Sequence, residues 1–173
     1  KGARTYDSGE FKALHEQAFE MADAKGFKAR ARESKKRGRL RGIGHALYIE
    51  ACSGGGEERA RLTLGTDGIL TVRIGTQSNG QGHHTAYAQL ASEALGIDPE
   101  RVRVVQGDTD EIAFGAGTGG SRSIPVGGTA VKTGGDELAE KIRKIAADTL
   151  EASAADIELY EDGARIAGTD RTM

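Results

Sequence analysis

The chain has no tryptophan, one cysteine, two prolines and only 5% aromatic residues among 173. Each scarcity excludes something. Cys52 stands alone and cannot close an internal disulfide, which fits a reducing compartment, so a cytoplasmic location is the expectation. No apolar run approaches the ~20 residues that a membrane-spanning helix needs, and no basic-then-apolar leader opens the sequence. Neither sign of charge dominates: 24 basic residues face 26 acidic ones, and a net charge of −2 provides no overall field for nucleic acid or an anionic membrane.

Glycine, by contrast, is plentiful, with 26 residues against a usual share of about 7%. The glycines have no period of three, which excludes collagen, and 37% hydrophobic residues in periodic runs exclude a disordered chain. A chain of this length buries roughly 70% of its unfolded surface, so a core can form without a disulfide or a structural metal. Excess glycine in such a domain means loops that approach something closely. The sequence opens Lys1-Gly2-Ala3-Arg4 and stops at Arg171-Thr172-Met173. Neither looks like a natural terminus, and the expectation is a piece of a longer chain.

Apolar residues at Phe11, Leu14, Ala18, Phe19 and Ala22 predict a helix over 8–24 behind Ser8 as N-cap. A second, basic helix is expected over 28–37. Residues 28–41 carry eight Lys or Arg, but one acid and no aromatic lie among them, so a solvated face is the better reading than an RNA-binding surface. From Leu40 the pattern becomes apolar on alternate and intervening positions alike up to Ala51, as in a strand covered on both faces. Ser53-Gly54-Gly55-Gly56 then marks a turn, and Ala60, Leu62 and Leu64 alternate with polar residues. Asp67-Gly68 is a hairpin signal, and residues 69–74 return. The region 40–75 therefore predicts a three-stranded antiparallel meander. A helix over 84–95, a short strand at Val102–Val105, a long helix to about 151 and a terminal hairpin around Asp162-Gly163 complete the pattern. The whole is an α/β (α+β) chain with a mixed, largely antiparallel sheet and packed helices, divided into a helical segment 1–38 and a domain 39–173. Two glycine pairs, Gly127-Gly128 and Gly134-Gly135, interrupt the long helix. Each glycine costs about 1 kcal/mol there against alanine, so close packing is expected as compensation.

Two glycine-rich loops precede helix starts, at 80–82 and 115–120. A helix start offers unpaired N–H groups and a positive dipole end, and glycine lets an anion reach the backbone. Gln81, His83, Thr118, Ser121 and Arg122 add hydrogen-bond donors, Arg122 with a bidentate fork. The two loops can serve one extended, anionic ligand. Other candidates are weaker. His83 and His84 would point apart on a helix, His15 and His45 have no ligand partner in sequence, and no metal site is expected. Asp108, Asp110 and Glu111 fit a capped turn better than an acid/base cluster. Cys52 reads as a small buried residue, and Ser121 has no companion histidine and acid that would make it a nucleophile.

Gly80-Gln81-Gly82-His83-His84-Thr85, Gly107-Asp108-Thr109-Asp110 and Gly117-Thr118-Gly119-Gly120-Ser121-Arg122-Ser123, in that order, resemble the large subunit of the molybdenum hydroxylases. This superfamily includes xanthine dehydrogenase, aldehyde oxidoreductase and aerobic carbon monoxide dehydrogenase. The flanks at Tyr6–Phe11 and Arg39–Gly44 are similar to the segment upstream of its second molybdopterin-binding domain. The resemblance implies a molybdopterin cofactor with molybdenum, often the cytosine dinucleotide form in bacteria, with iron–sulfur centres and FAD on partner domains or subunits. It places Gln81 against an oxygen on molybdenum, Gly80, Gly82 and His83 beside the pterin, and Thr118, Gly119, Ser121 and Arg122 on a second contact loop. Many members carry tyrosine where this chain has Gly119. The family's base, a glutamate in a Val-Gly-Glu motif, does not occur here, nor do its Gly-Gly-Phe-Gly and Ala-Tyr-Arg loops. The resemblance thus implies a part of a subunit that works with the rest of that subunit, an iron–sulfur subunit, a flavin subunit and a small-molecule substrate, and is inactive alone. The alternative is a stand-alone domain that uses the same loops for a nucleotide or other polyanion without redox chemistry.

Overall fold

The computed structural model describes residues 5–50, 52 and 55–173. The chain divides into two compact units at the bond between Ile49 and Glu50.

The N-terminal unit holds helices α1 (Phe11–Met21) and α2 (Phe27–Lys36), joined by a 3₁₀ turn. The helical path breaks at Asp23. This residue takes a left-handed conformation with φ 45°, and its side chain accepts the Gly26 N–H. The Arg30 guanidinium pairs with the Asp23 carboxylate and donates to the Ala22 and Asp23 carbonyls. One member of the basic run is thereby tied to the turn, and Lys36 and Arg37 lie beside Glu33 on an exposed face. The His15 and His45 rings lie 5.1 Å apart, tilted by 58°, next to Phe19. They make an aromatic cluster.

The strand expected over 40–51 does not form at residues 40–50, and Ala51 lies outside the described residues. Leu40 is 96% exposed and Tyr48 81%. A strand needs another backbone to take its N–H and C=O groups. Among the described residues none pairs with this segment, so the apolar pattern alone does not make it a strand. The turn expected at Ser53–Gly56 falls partly on residues outside the described set.

The second unit carries β1 (Ala60–Leu64), β2 (Leu70–Ile74), α3 (His83–Leu95), β3 (Val102–Val105), α4 (Thr129–Leu150), β4 (Ile157–Tyr160) and β5 (Gly163–Ile166). β1 and β2 form the hairpin that Asp67-Gly68 predicts. The third place in the sheet goes to β3, which runs parallel to β2 with Leu70 opposite Val102 and Val72 opposite Val104. Parallel neighbours need a crossover, and α3 supplies it. The central strand β2 is the most buried, and Leu70, Val72 and Ile74 are fully buried against Tyr87, Ala91 and Leu95 of α3 and Val131 and Ala139 of α4. Ala146, Ala147 and Leu150 at the end of α4 form a smaller core with the hairpin β4–β5.

The glycine pairs of the long helix are explained by contact. A Cβ on Gly135 would lie 2.8 Å from the Ala94 Cβ, and one on Gly134 would lie 2.9 Å from Leu62 Cδ1. α4 therefore approaches α3 and β1 more closely than any side chain would allow. Gly127 and Gly128 fall before α4 in a π-helical turn, Ser123–Gly128, where they make room for Tyr87 and Leu90.

Candidate functional site

The parallel pairing of β2 and β3 decides where the loops go. Both strands end at the same edge of the sheet, so the loop after β2 (residues 75–82) and the loop after β3 (residues 106–122) leave side by side. The carboxyl ends of parallel strands are where α/β sheets hold their ligands.

The loops touch at their backbones. Gly75 and Gly115 lie so close that a Cβ on either would overlap the Cα of the other. Further on, the Thr118 hydroxyl donates to the Gln77 carbonyl at 2.6 Å. Beneath them the Tyr87 hydroxyl bridges both loops, hydrogen-bonded to Thr76 Oγ1 at 2.6 Å and donating to the Ser123 carbonyl at 3.0 Å. Burial, the largest influence, pushes the Tyr87 hydroxyl pKa above its ordinary value, and the neighbouring Glu58 charge adds to that.

The residues expected to bind a ligand divide into two groups. Gly80, Gln81, Gly82, Gly119 and Ser121 are exposed, and with half-buried Thr118 they stand around the mouth of the paired loops. An open cavity of about 560 Å³ is lined by Gln81, His83, Thr118, Gly119 and Ser121, among others. A Cβ on Gly80, Gly82, Gly119 or Gly120 would meet nothing within 4 Å, so on this side the glycines leave space, whereas Gly75 and Gly115 fill it. Gly82 takes φ 83° as the residue before α3, and no side chain caps the helix start. The Gln81 side-chain oxygen Oε1 accepts from the Asn79 N–H and the Ser78 hydroxyl within its own loop. Ser121, at φ 52°, donates to the Glu50 carboxylate at 3.0 Å.

His83 and Arg122 are buried. His83 Nδ1 lies 3.3 Å from the Thr76 carbonyl, which only accepts, so the proton of the neutral ring is assigned to Nδ1 and Nε2 carries the lone pair. That Nε2 is buried without a partner, as is Nε2 of the adjacent Gln106. Buried polar atoms are nearly always satisfied, and an orphan on His83, which lines the cavity, marks a place where a bound group completes the bonding. Arg122 is instead engaged by the protein itself. Its guanidinium donates to the Glu58 carboxylate (3.1 Å), the Gly117 carbonyl (2.9 Å) and the Glu57 carbonyl (2.8 Å). Its fork holds the protein's own loop.

The remaining sequence candidates separate from this site. Cys52 is exposed and lines the same cavity, contrary to the buried residue expected. Asp108 accepts the Asp110 N–H in a turn, and Glu111 pairs with Arg73. Among the described residues no three His, Cys, Asp or Glu side chains gather as a metal site would require. Among the described residues, too, no helix is long and apolar enough to cross a membrane. Sequence reasoning missed Glu58, Thr76, Tyr87 and Gln106. Tyr87 sits at a core position of a helix, where its ring explains its presence without its hydroxyl, and Glu58 is one acid in the stretch Glu57-Glu58-Arg59.

Paired glycine loops at the carboxyl edge of a mixed sheet, an uncapped helix start and orphaned polar atoms define a ligand-binding α/β domain. A family model described as a molybdopterin cofactor-binding domain matches residues 17–173. The chain belongs to that family. It is 31% identical over 179 residues to the carbon monoxide dehydrogenase large chain of Hydrogenophaga pseudoflava, covering 95% of this chain and 22% of the relative. It is also 31% identical over 178 residues to the nicotine 6-hydroxylase large subunit of Paenarthrobacter nicotinovorans, covering 94% and 21%. Among solved structures, a Cu,Mo-CO dehydrogenase in its carbon monoxide reduced state superposes with a TM-score of 0.63 at 32% identity, over 94% of this chain and 23% of that one. The chain spans about a fifth of the length of these relatives.

Proposed function

We propose that this chain forms part of the molybdopterin cradle in the large subunit of a molybdenum hydroxylase, and that the paired loops are its contact surface for the cofactor. The observation that carries the reading is the buried, unpartnered His83 Nε2 next to the open cavity at the start of α3. A pterin offers N–H donors for such an acceptor, and its phosphate suits the unpaired N–H groups and positive dipole end of an uncapped helix. The open side of Gly80, Gly82 and Gly119 leaves a flat group room to lie against the backbone.

In this reading His83 holds a pterin donor, and the exposed Gln81 amide reaches an oxygen on molybdenum after releasing its contacts to Ser78 and Asn79. Thr118, Gly119 and Ser121 line the opposite wall. Arg122 shapes that wall from behind through Gly117, and does not meet the ligand. When bound, the cofactor supplies the two-electron redox chemistry by which a water-derived oxygen enters a C–H bond or carbon monoxide is oxidised. The chain contributes binding and orientation to that chemistry and no base, so alone it is inactive. The cofactor in its cytosine dinucleotide form, iron–sulfur and flavin partner subunits and a cytoplasmic location complete the proposal. Equal identity to a carbon monoxide dehydrogenase and a nicotine hydroxylase supports the view that this portion sets the cofactor and another sets the substrate, whether purine, aldehyde, heterocycle or carbon monoxide. Analysis of the protein purified from its native source tests the reading. Molybdenum and pterin in equal amounts are expected, and the absence of both would identify a binding domain for another anionic ligand.

A further inference from the structure

We infer that Glu58 is a positioning residue that sets the relative geometry of the two glycine loops, acting through Arg122. The inference rests on the assignment of those loops to cofactor binding. The Glu58 side chain is completely buried, two residues ahead of β1. One carboxylate oxygen accepts from Arg122 Nη1 at 3.1 Å. The other accepts the Arg59 N–H at 3.1 Å and lies 2.9 Å from where a Cβ on Gly75 would stand. Glu58 therefore packs against the first residue of one loop and grips the last residue of the other. Through Arg122 it also fixes Gly117 and the Glu57 carbonyl.

The choice of an ion pair here calls for a reason. Removing two charges from water costs so much that a buried pair is often no more stabilising than an apolar pair of the same volume. What the pair supplies is direction. A carboxylate facing a guanidinium fork fixes several donor and acceptor lines at once, and apolar contacts do not. The line that matters runs from Glu58 through Arg122 to Gly117, the residue before Thr118, and Thr118 in turn holds Gln77. Glu58 is in this way connected to both walls of the cavity, although its side chain is shielded from solvent and is not among the residues that line the cavity.

The double variant Glu58→Leu/Arg122→Met separates positioning from stability. In the protein purified from its native source it is expected to melt within about 5 °C of wild type, since an apolar pair can replace a buried ionic one. Amide hydrogen exchange across 115–123, measured on cofactor-free protein, is expected to accelerate at least about tenfold while exchange in α4 is unchanged. On dialysis the variant is expected to lose pterin at least about tenfold faster than wild type. Wild-type exchange at 115–123 would overturn the inference. If the double variant does not fold, Arg122→Lys decides, because it keeps the charge facing Glu58 but loses the fork to Gly117 and Glu57. The same local acceleration is expected of it, and wild-type exchange would again overturn the inference. Absence of pterin from the wild-type protein would defeat the cofactor reading and leave the exchange result to judge Glu58 by itself.

Discussion

Thr118 and Gln77 are 41 residues apart in sequence and joined by a 2.6 Å hydrogen bond from the threonine hydroxyl to the glutamine carbonyl. The bond closes one loop on the other at the rim of the cavity, where residues 81, 83, 119 and 121 gather. Replacing Thr118 by valine keeps the shape and removes the donor. A loss of about 1 kcal/mol in stability is expected from denaturant unfolding, together with weaker retention of pterin.

Gly75 and Gly119 make opposite predictions for the same substitution. At Gly75 a methyl group would overlap the backbone of Gly115, so Gly75→Ala is expected to destabilise the unit by roughly 3 kcal/mol or to separate the loops. Gly119 has open space at its Cβ position and no positive φ, so Gly119→Ala should leave the melting temperature unchanged. Thermal melts of the two variants side by side check the contrast.

Tyr87 ties stability to alkaline pH. Burial holds its hydroxyl protonated above the ordinary value of 10.0, so the folded chain keeps this proton at a pH where the unfolded chain has released it. Its contribution is therefore fully present below about pH 10 and is lost as pH rises from there through the raised folded value. Tyr87→Phe removes the hydrogen bonds to Thr76 and Ser123 and is expected to cost about 1–3 kcal/mol at neutral pH. Stability measured from pH 8 to 11 should then fall less steeply in the variant than in wild type.

Gly135→Ala sets helix propensity against packing. Alanine would gain about 1 kcal/mol in an exposed helix. Here the new Cβ would press on Ala94 at 2.8 Å, so the substitution is expected to lower the melting temperature. A rise would mean that α3 and α4 separate more easily than their contact implies.

The parts of the fold that depend on local chemistry were legible in the sequence. Asp67-Gly68 and Asp162-Gly163 announced their hairpins, and the periodicity of Ala88, Ala91 and Leu95 announced α3. Pairing between distant segments was not. Residues 40–50 carry the two-faced apolar pattern of a covered strand, but a partner backbone decides whether it becomes one, and β3 took the third place in the sheet. The loops at 80–82 and 115–120 were visible from their glycines, and their residues do line one cavity. Arg122 shows where such reading stops. Its residue type suits an anion, but buried Glu58 engages it, and nothing in the stretch Glu57-Glu58-Arg59 distinguishes that acid from its exposed neighbour.

The central claim is that the loops after β2 and β3 act as one cofactor site. Hydrogen exchange of the natively purified protein, compared with the same protein after its cofactor is removed, tests it most directly. The account predicts that residues 75–83 and 115–123 lose protection together on removal, while β4 and β5 do not change. Loss confined to one loop, or no change in either, would contradict it.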